Sequence, residues 1–414
     1  MRRIVWSPDA DATYLIRDDM SLRSTRGEIG RICSALRTGD AAGARRQFPR
    51  LVEMIERAGL GDETVRLDIV QRSPHLRRLQ IEVALACNLH CNYCYSTSGP
   101  NRRERLSSAQ VLKLLDDATA MGCLSVDFTG GEFLMDPDAL RYLDRAHDLG
   151  LATTIHTNGT IVNEAVIDVL CRTRPRAVQI SVDSHLSLVH DQIRGSRNAL
   201  RRTFATIERL TRANLPVRLS MMVHRANLNQ AADSIRFFRT TFPKVHINID
   251  RIIAVGSAVA TDTVTNEEFW SVVSEFRDPA LSVGKICDDV SSPSPFEPEC
   301  GVAYSFVYAT AEGELASCPT MTGREDPRFR GPNLADISLA EAWYDSDHFV
   351  AFRDTNCENV RTCPAGSACG GGCRSNAYAD TGNITGPDII ACNTRKNPGK
   401  VFVDFPKLYK RSAT

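Results

Sequence analysis

From residue 79 onward the chain keeps one rhythm. A short apolar run is followed by a longer stretch of helical period, and the pair recurs six times. The apolar runs lie at 79–85, 124–128, 152–155, 177–182, 217–223 and 245–252. The helical stretches lie at 107–121, 138–149, 164–171, 199–213, 228–241 and 266–276. Repeated strand-then-helix units predict a parallel sheet with right-handed crossovers. Periodicity alone leaves two architectures open, a curved incomplete barrel and a flat doubly wound sheet. Both place function at the carboxyl ends of the strands.

The flanks read differently. Residues 1–75 show one strand-like run at 13–16 and helical patterns at 25–36 and 41–58, which suggest a small α/β cap. Beyond 278 the periodicity fades, and 291–295 (Ser-Ser-Pro-Ser-Pro) marks a loop. The remainder is rich in Gly, Pro and Cys. Such a segment buries little apolar surface and needs staples to hold a shape. The reading is three parts, 1–75, 76–280 and 281–414. The 50 basic residues balance the 50 acidic ones, which argues against a general nucleic-acid binder. No apolar run reaches the roughly 18 residues of a membrane span. The start carries positive charge without the apolar stretch of a signal peptide. The expectation is a cytoplasmic protein with neither nucleic acid nor membrane as partner.

The 14 cysteines need a reason, because a reducing compartment disfavours disulfides. Cys87-Asn-Leu-His-Cys91-Asn-Tyr-Cys94 has the spacing C-x3-C-x2-C and follows the first strand of the series. Three thiolates can hold three corners of an iron–sulfur cubane and leave the fourth iron open to another ligand. Zinc is the competing reading, but it ordinarily takes four protein ligands, and only His90 lies within the loop. A second group comprises Cys300, then Gly313 and Cys318, then Cys357-x5-Cys363-x5-Cys369-x3-Cys373, with Cys392 behind. The glycines at 366 and 370–372 let the chain wrap tightly. This too signals metal, with zinc or disulfides as alternatives. Cys33, Cys123 and Cys171 stand alone and read as small core residues.

Further motifs sit at other strand ends. Thr129-Gly130-Gly131-Glu132 follows the second strand. Its glycines permit close backbone approach to a ligand, and its carboxylate suits an ammonium group. The bland alternative is a turn with a solvated Glu. His156-Thr157-Asn158-Gly159 ends the third strand, as a ligand contact or as a turn. Ile180-Ser181-Val182-Asp183 ends the fourth, and Arg194-Gly195 follows, with Arg194 either on a carboxylate or in a surface ion pair.

With Tyr93 before its last cysteine, the first motif resembles the signature of the radical S-adenosylmethionine (SAM) superfamily, over about residues 79–277. The resemblance implies an α/β fold, a partial (β/α)6 TIM-like barrel, in which the open iron chelates SAM. It implies that Gly130, Gly131 and Glu132 hold the methionine amino group. Ser181 and Asp183 would line the SAM site and Arg194 would take the methionine carboxylate. Tyr93 and Asn158 complete the cofactor-binding set. The irregular Cys-rich region 281–414 resembles a SPASM domain, although the first interval of its second cysteine set is five residues and not the usual two. That implies two auxiliary 4Fe–4S clusters. One would be held by Cys300, Cys318 and Cys373, with Cys287 or nothing as fourth ligand. The other would be held by Cys357, Cys363, Cys369 and Cys392.

The implied activity is that of a radical SAM oxidoreductase that matures a ribosomally made peptide by crosslinking, oxidation or epimerisation. A sulfatase-maturating, formylglycine-forming enzyme and a non-catalytic electron carrier are the alternatives. Its partners would be a leader-bearing peptide or protein and a small electron donor such as flavodoxin or ferredoxin. Residues 1–75 would either recognise the leader, as a degenerate winged helix does, or serve as a cap; this is fold-level analogy. Spacing selects no catalytic acid or base, with His224 one of several candidates.

Overall fold

A computed structural model describes residues 1–276, 278, 280–283, 301–322, 326–364, 369 and 371–396. Cys287 and Cys300 lie outside these described residues. The chain begins with β1 (Arg3–Ser7), β2 (Ala12–Ile16), β3 (Leu22–Arg26), α1 (Glu28–Thr38), α2 (Ala41–Gln47), α3 (Pro49–Arg57) and β4 (Arg66–Ile69). It continues with β5 (Arg78–Glu82), α4 (Ser108–Ala120), β6 (Ser125–Thr129), α5 (Ala139–Asp148), β7 (Ala152–Thr157), α6 (Glu164–Thr173), β8 (Ala177–Ser181), α7 (Ser187–Arg194) and α8 (Ala199–Arg212). Then come β9 (Val217–Val223), α9 (Ala231–Thr241), β10 (His246–Arg251), α10 (Asn266–Val273), β11 (Leu281–Val283), β12 (Phe306–Ala309) and β13 (Leu315–Ala316). The described part ends with α11 (Leu339–Asp345), α12 (Asp347–Arg353), α13 (Arg374–Thr381) and α14 (Ile389–Lys396).

The large sheet runs β11-β10-β9-β8-β7-β6-β5-β12-β13. Its six central strands, β5 to β10, are parallel and neighbour one another in chain order. A doubly wound sheet reverses its order at a switch point. This one does not, and a constant right-handed crossover then keeps every helix on one face. That arrangement is a partial TIM-like barrel.

Side-chain alternation separates the two faces. In β9, Val217, Leu219, Met221 and Val223 are buried, while Arg218, Ser220 and Met222 are half-buried. The first set joins a core with Val111, Leu114 and Leu115 of α4 and Tyr142 and Leu143 of α5. The opposite face is polar, carrying Gln80, Glu82, Asp127, Thr129, Thr154, His156, Gln179, Asn248 and Asp250. Helix starts are chemically marked. Ser107 with Gln110, Thr265 with Glu268 and Ser338 with Glu341 form reciprocal caps of the kind that satisfies two orphan backbone donors at once.

Two elements depart from the periodicity reading. The helical stretch at 41–58 is broken between α2 and α3 at Phe48, where Pro49 opens a new helix; proline suits a first helical turn but not an interior. The sheet also continues past residue 280, because β11 pairs with β10 and β12 pairs in parallel with β5.

The N-terminal strands form their own sheet, β3-β2-β1-β4, over a small core of Ile4, Ile32, Cys33, Val52 and Ile55. Arg3 pins it to the barrel. Its guanidinium is wholly buried and reaches Asp68, the Cys123 carbonyl and the Thr119 carbonyl. Trp343 of α11 donates to the Pro74 carbonyl at 2.8 Å, tying the C-terminal helices to the same junction. No helix among the described residues is long and apolar enough to cross a membrane.

Candidate active site

The loop after β5 carries Cys87, Cys91 and Cys94 and is laced on both sides. Cys87 N–H donates to the Gly99 carbonyl, and Gly99 N–H donates to the Leu85 carbonyl. His90 and Asn92 N–H donate to the carbonyls of Arg194 and Ile193, at 3.1 Å each. Ser257 N–H donates to the Cys94 carbonyl at 2.9 Å. Each sulfur receives N–H groups. Leu89 N and Asn158 Nδ2 face Cys87 at 3.4 and 3.9 Å. Arg194 Nη1 faces Cys91 at 3.8 Å, and Ser98 N faces Cys94 at 3.3 Å.

Burial pushes the Cys87 thiol up to about 12, with Glu132 and the other two cysteines adding to the rise. Burial likewise raises Cys91, against the nearby Arg194. These two thiols ionise together only beside a cationic centre. Donors aimed at the sulfurs favour the thiolate form. The donor set therefore suits a cluster with three thiolate ligands. Among the described residues, no three His, Cys, Asp or Glu side chains gather as a single-ion site would.

Gly130 and Gly131 serve this loop and not an open space. A Cβ on Gly130 would stand 2.6 Å from the Ala84 carbonyl oxygen, and one on Gly131 would stand 2.4 Å from that of Ala86. Their absent side chains let the second strand's loop lie flush on residues 84–86. Gly131 N–H and Glu132 N–H then donate to the Ala84 and Ala86 carbonyls, at 2.7 and 3.0 Å. The glycines position Glu132, and the expected close approach is to backbone.

Glu132 is buried. Its Oε1 accepts from Leu134 N–H and the Thr157 hydroxyl, and its Oε2 accepts from Asn158 N–H at 2.7 Å. A carboxylate has about four acceptor sites, so one is left over. Burial raises its pKa despite these donors; a cation in reach would restore the charged form. Asn158 also bridges to Asn88 at 2.9 Å, so Asn158 joins the cysteine loop and does more than form a turn.

Asp183 is turned inward, and its carboxylate accepts from the Tyr93 hydroxyl at 2.9 and 3.0 Å and from Met222 N–H at 3.2 Å. Arg194 Nε lies 2.8 Å from Asp183 Oδ2, close enough for an ion pair but without hydrogen-bond geometry. Arg194 is 5% exposed, so the surface ion pair is excluded. Burial opposes its charge, but Asp183, Tyr93 and Cys91 hold its pKa above the ordinary value. Its Nη2 is buried and has no hydrogen-bond partner among the described residues, as a donor kept for a ligand would be. The Tyr93 ring lies 5.4 Å from the Arg194 guanidinium and 5.4 Å from the His224 ring. Asp183 and Tyr93 thus act by holding Arg194 and the loop; a direct hydrogen bond from Asp183 to a cofactor does not fit its full burial. Ser181 is half-buried at the end of β8.

Three contributors went unrecognised in the sequence. Gly256 has φ +64°, and a Cβ there would stand 2.3 Å from the Cys94 and Tyr95 carbonyls; a glycine just past the sixth strand was its only signal. Glu82, Tyr95 and Tyr308 form a buried group behind Cys94, with the two phenol oxygens 3.4 Å apart and Ala311 N–H on Glu82 at 3.2 Å. Asn227 holds the Asp183 and Met222 carbonyls at 2.8 Å each.

In the C-terminal region, the Thr320 hydroxyl donates to Ser375 at 2.7 Å, bringing the Cys318 and Cys373 turns together. Asp388 accepts from Cys373 N–H through its side chain and from Cys392 N–H through its carbonyl. Gly371 lies against Asn356, next to Cys357, and Gly372 lies against Asp388 and Ala391. Gly372 N–H donates to the Cys369 carbonyl. These contacts link the backbone around Cys357, Cys369, Cys373 and Cys392, whereas Cys363 is exposed. Cys33 and Cys123 are buried core residues as expected, but Cys171 is exposed on α6.

The superfamily model that matches residues 81–238 is described as "Radical SAM superfamily". This segment is a radical SAM domain. SAM and a 4Fe–4S cluster follow from that superfamily. Over 324 residues the chain is 28% identical to a PqqA peptide cyclase of Gluconobacter oxydans, covering 75% of this chain and 89% of that protein. A PqqA peptide cyclase of Granulibacter bethesdensis is 27% identical over 327 residues, 74% and 84% of the two chains. The fold is similar to Streptococcus suis SuiB bound to its precursor peptide SuiA, with TM-score 0.68, 15% identity and coverage of 95% and 100%. It is also similar to anSMEcpe with bound AdoMet and a peptide, with TM-score 0.61, 14% identity and coverage of 81% and 98%. Around the radical SAM domain, Cys87, Cys91, Cys94, Glu132, Asn158 and Arg194 meet at the carboxyl end of the sheet, where an α/β barrel carries its chemistry.

Proposed function

We propose that this chain is a radical SAM enzyme that modifies a ribosomally made peptide, joining two of its side chains or oxidising one. The observation that carries the reading is the triad of thiols at the mouth of a polar-lined barrel, with an unused donor on Arg194 and an unused acceptor site on Glu132. When bound, SAM and its cluster supply a carbon-centred radical able to take hydrogen from an unactivated C–H bond. The protein's part is placement. Cys87, Cys91 and Cys94 hold the cluster. Glu132, fixed by Thr157 and Asn158, takes the methionine ammonium. Arg194, fixed by Asp183, takes the methionine carboxylate through Nη2. Tyr93 packs between Arg194 and His224 and keeps the loop closed on this pair.

The similar cyclases act on a peptide by name, which supports a crosslink as the product. Residues 1–75 support leader recognition, as three antiparallel strands are followed by three helices and, among the described residues, the largely exposed β3 ends the small sheet. A peptide adding there as a further strand would gain main-chain hydrogen bonds. The C-terminal cysteines would hold auxiliary clusters that accept the electron left over from the substrate. Cys318 and Cys373 would serve one, and Cys357, Cys369 and Cys392 the other. Cys300, Cys287 and Cys363 are the further candidates. A flavodoxin or ferredoxin would supply the first electron in a reducing cytoplasm.

Anaerobic reconstitution with a strong reductant, SAM and a co-expressed precursor peptide tests this. The expected result is 5′-deoxyadenosine and a peptide lighter by two hydrogens. Cys→Ala at 87, 91 or 94 is expected to abolish both. About twelve iron per chain would accompany three cubanes, and about four would remove the auxiliary clusters. Formylglycine on a sulfatase-type peptide, with no change in any precursor, would overturn the reading.

A further inference from the structure

The inner face of the barrel carries a group that the cofactor site does not use. Asp127 of β6 is buried, and its Oδ2 lies 3.3 Å from Arg78 Nε and 3.9 Å from His156 Nε2. Its Oδ1 has no hydrogen-bond partner among the described residues, and neither has His156 Nε2. The 3.9 Å gap is too long for a hydrogen bond but becomes an ion pair once the ring is protonated. The other ring nitrogen, Nδ1, stands 3.3 Å from Gln179 Nε2, its register partner on β8. Ser125 Oγ and Thr154 Oγ1, on the same inner face, are also buried without a partner. Buried polar groups are ordinarily satisfied. Four left over on two adjacent strands mark a place prepared for something that arrives.

Location and exposure narrow the role. His156 directly precedes Thr157, whose hydroxyl holds Glu132, so the pair lies one residue down the strand from the proposed cofactor cradle. The Asp127 side chain is 4% exposed, but that of His156 is 27% exposed. A sequestered carboxylate behind a reachable imidazole, one ring nitrogen facing the acid and the other facing away, is the arrangement of a base and its orienting group.

We propose that His156, oriented by Asp127, accepts the proton that a substrate side chain gives up during its modification; this rests on the peptide-modifying reading above. The substrate X–H bond breaks, an N–H bond forms at Nδ1, and the electron pair stays on X. Nε2–H points at Asp127, so the positive charge gained by the ring faces a side chain already paired with Arg78. Gln179, a neutral amide, occupies Nδ1 until the substrate replaces it.

His156→Gln and the near-isosteric Asp127→Asn test this in the reconstituted full-length enzyme. The readouts are iron content, the electron paramagnetic resonance signal of the reduced cluster, 5′-deoxyadenosine and modified peptide. Both variants are expected to keep the iron, the signal and SAM cleavage within about twofold. Modified peptide is expected to fall about 100-fold or more in His156→Gln, the usual scale of general-base loss, and less in Asp127→Asn. Deoxyadenosine formed per product would rise by the same factors. Product within threefold of wild type in both variants would overturn the proposal. Loss of deoxyadenosine in step with product would overturn it too, since the pair would then merely support the cofactor cradle. A wild type that cleaves SAM but alters no peptide would instead overturn the underlying reading, before any variant is compared.

Discussion

Glu82 illustrates how far a residue's chemistry depends on partners remote in sequence. It ends β5 on the inner face, next to Tyr308 and Ser96, with Ala311 N–H on one oxygen. Burial pushes its carboxyl up to about 7, although the Ala311, Tyr308 and Ser96 hydrogen bonds pull it down. The unfolded chain would titrate it near its ordinary 4.5, so the folded protein binds the extra proton between about 4.5 and 7. Acidification across that window therefore favours folding through this group. His75 and His190 work the other way. Burial drives them down to about 3 and about 4, so they cost stability as pH falls below their unfolded value near 6.5. An infrared difference spectrum of wild type minus Glu82→Gln is expected to show a neutral carboxyl band at pH 6 and its loss at pH 8. A carboxylate band at both values would show that the site is wetter than its burial implies. Cys87, Cys91, Cys94, Glu132, Asp183 and Arg194 were legible in the sequence because each sits in a short motif at a strand end. Glu82 with Tyr308, and Gly256 with Cys94, were not, because nothing local announces a contact spanning more than 150 residues.

At the level of elements, the central strands and helices were legible to within a few residues because their apolar faces are long and regular. The N-terminal sheet was legible only in β2, marked by the apolar run at 13–16. Its strands have four or five residues, and Leu22–Arg26 is mostly polar, as suits the strand that ends the small sheet among the described residues. Helix α7 hid for a related reason, as eight residues give barely two turns of period. Arg3 reads as an error in a strand, a charge among apolar neighbours, until its three partners are seen. Asp68 of β4 and the carbonyls of Thr119 and Cys123 make it the bolt between the small sheet and the turn that joins α4 to β6. Arg3→Met would keep most of the packing but strand a carboxylate and two carbonyls. Breaking one side of a buried pair costs about 3 kcal/mol or more, and the expected result is a lower denaturant midpoint with trypsin cutting first within residues 17–66. An unchanged midpoint would mean that water replaces the guanidinium.

Over the whole molecule, the C-terminal part is built into the barrel and not merely appended to it. Strand β12 extends the large sheet beside β5, and Tyr308 on it meets Tyr95 next to Cys94. Its far end is held by an ion pair between Arg251, which ends β10, and Asp380 of α13, with 5% and 13% of the side chains exposed. Asn266 Nδ2 takes the other Asp380 oxygen at 3.1 Å. One carboxylate thus joins the sixth barrel strand, the start of α10 and the helix that follows Cys373. Asp380→Asn keeps the shape and removes the charge, leaving the guanidinium buried without its counter-ion. If the cost of about 3 kcal/mol falls on local opening of this unit, amide exchange over residues 374–396 should speed up roughly 100-fold, with strands β5–β9 unchanged. Equal acceleration throughout would mean that barrel and C-terminal helices open as one cooperative body. The sequence could not decide between these outcomes, because its weak periodicity after residue 278 describes the helices and says nothing of the single charge that docks them.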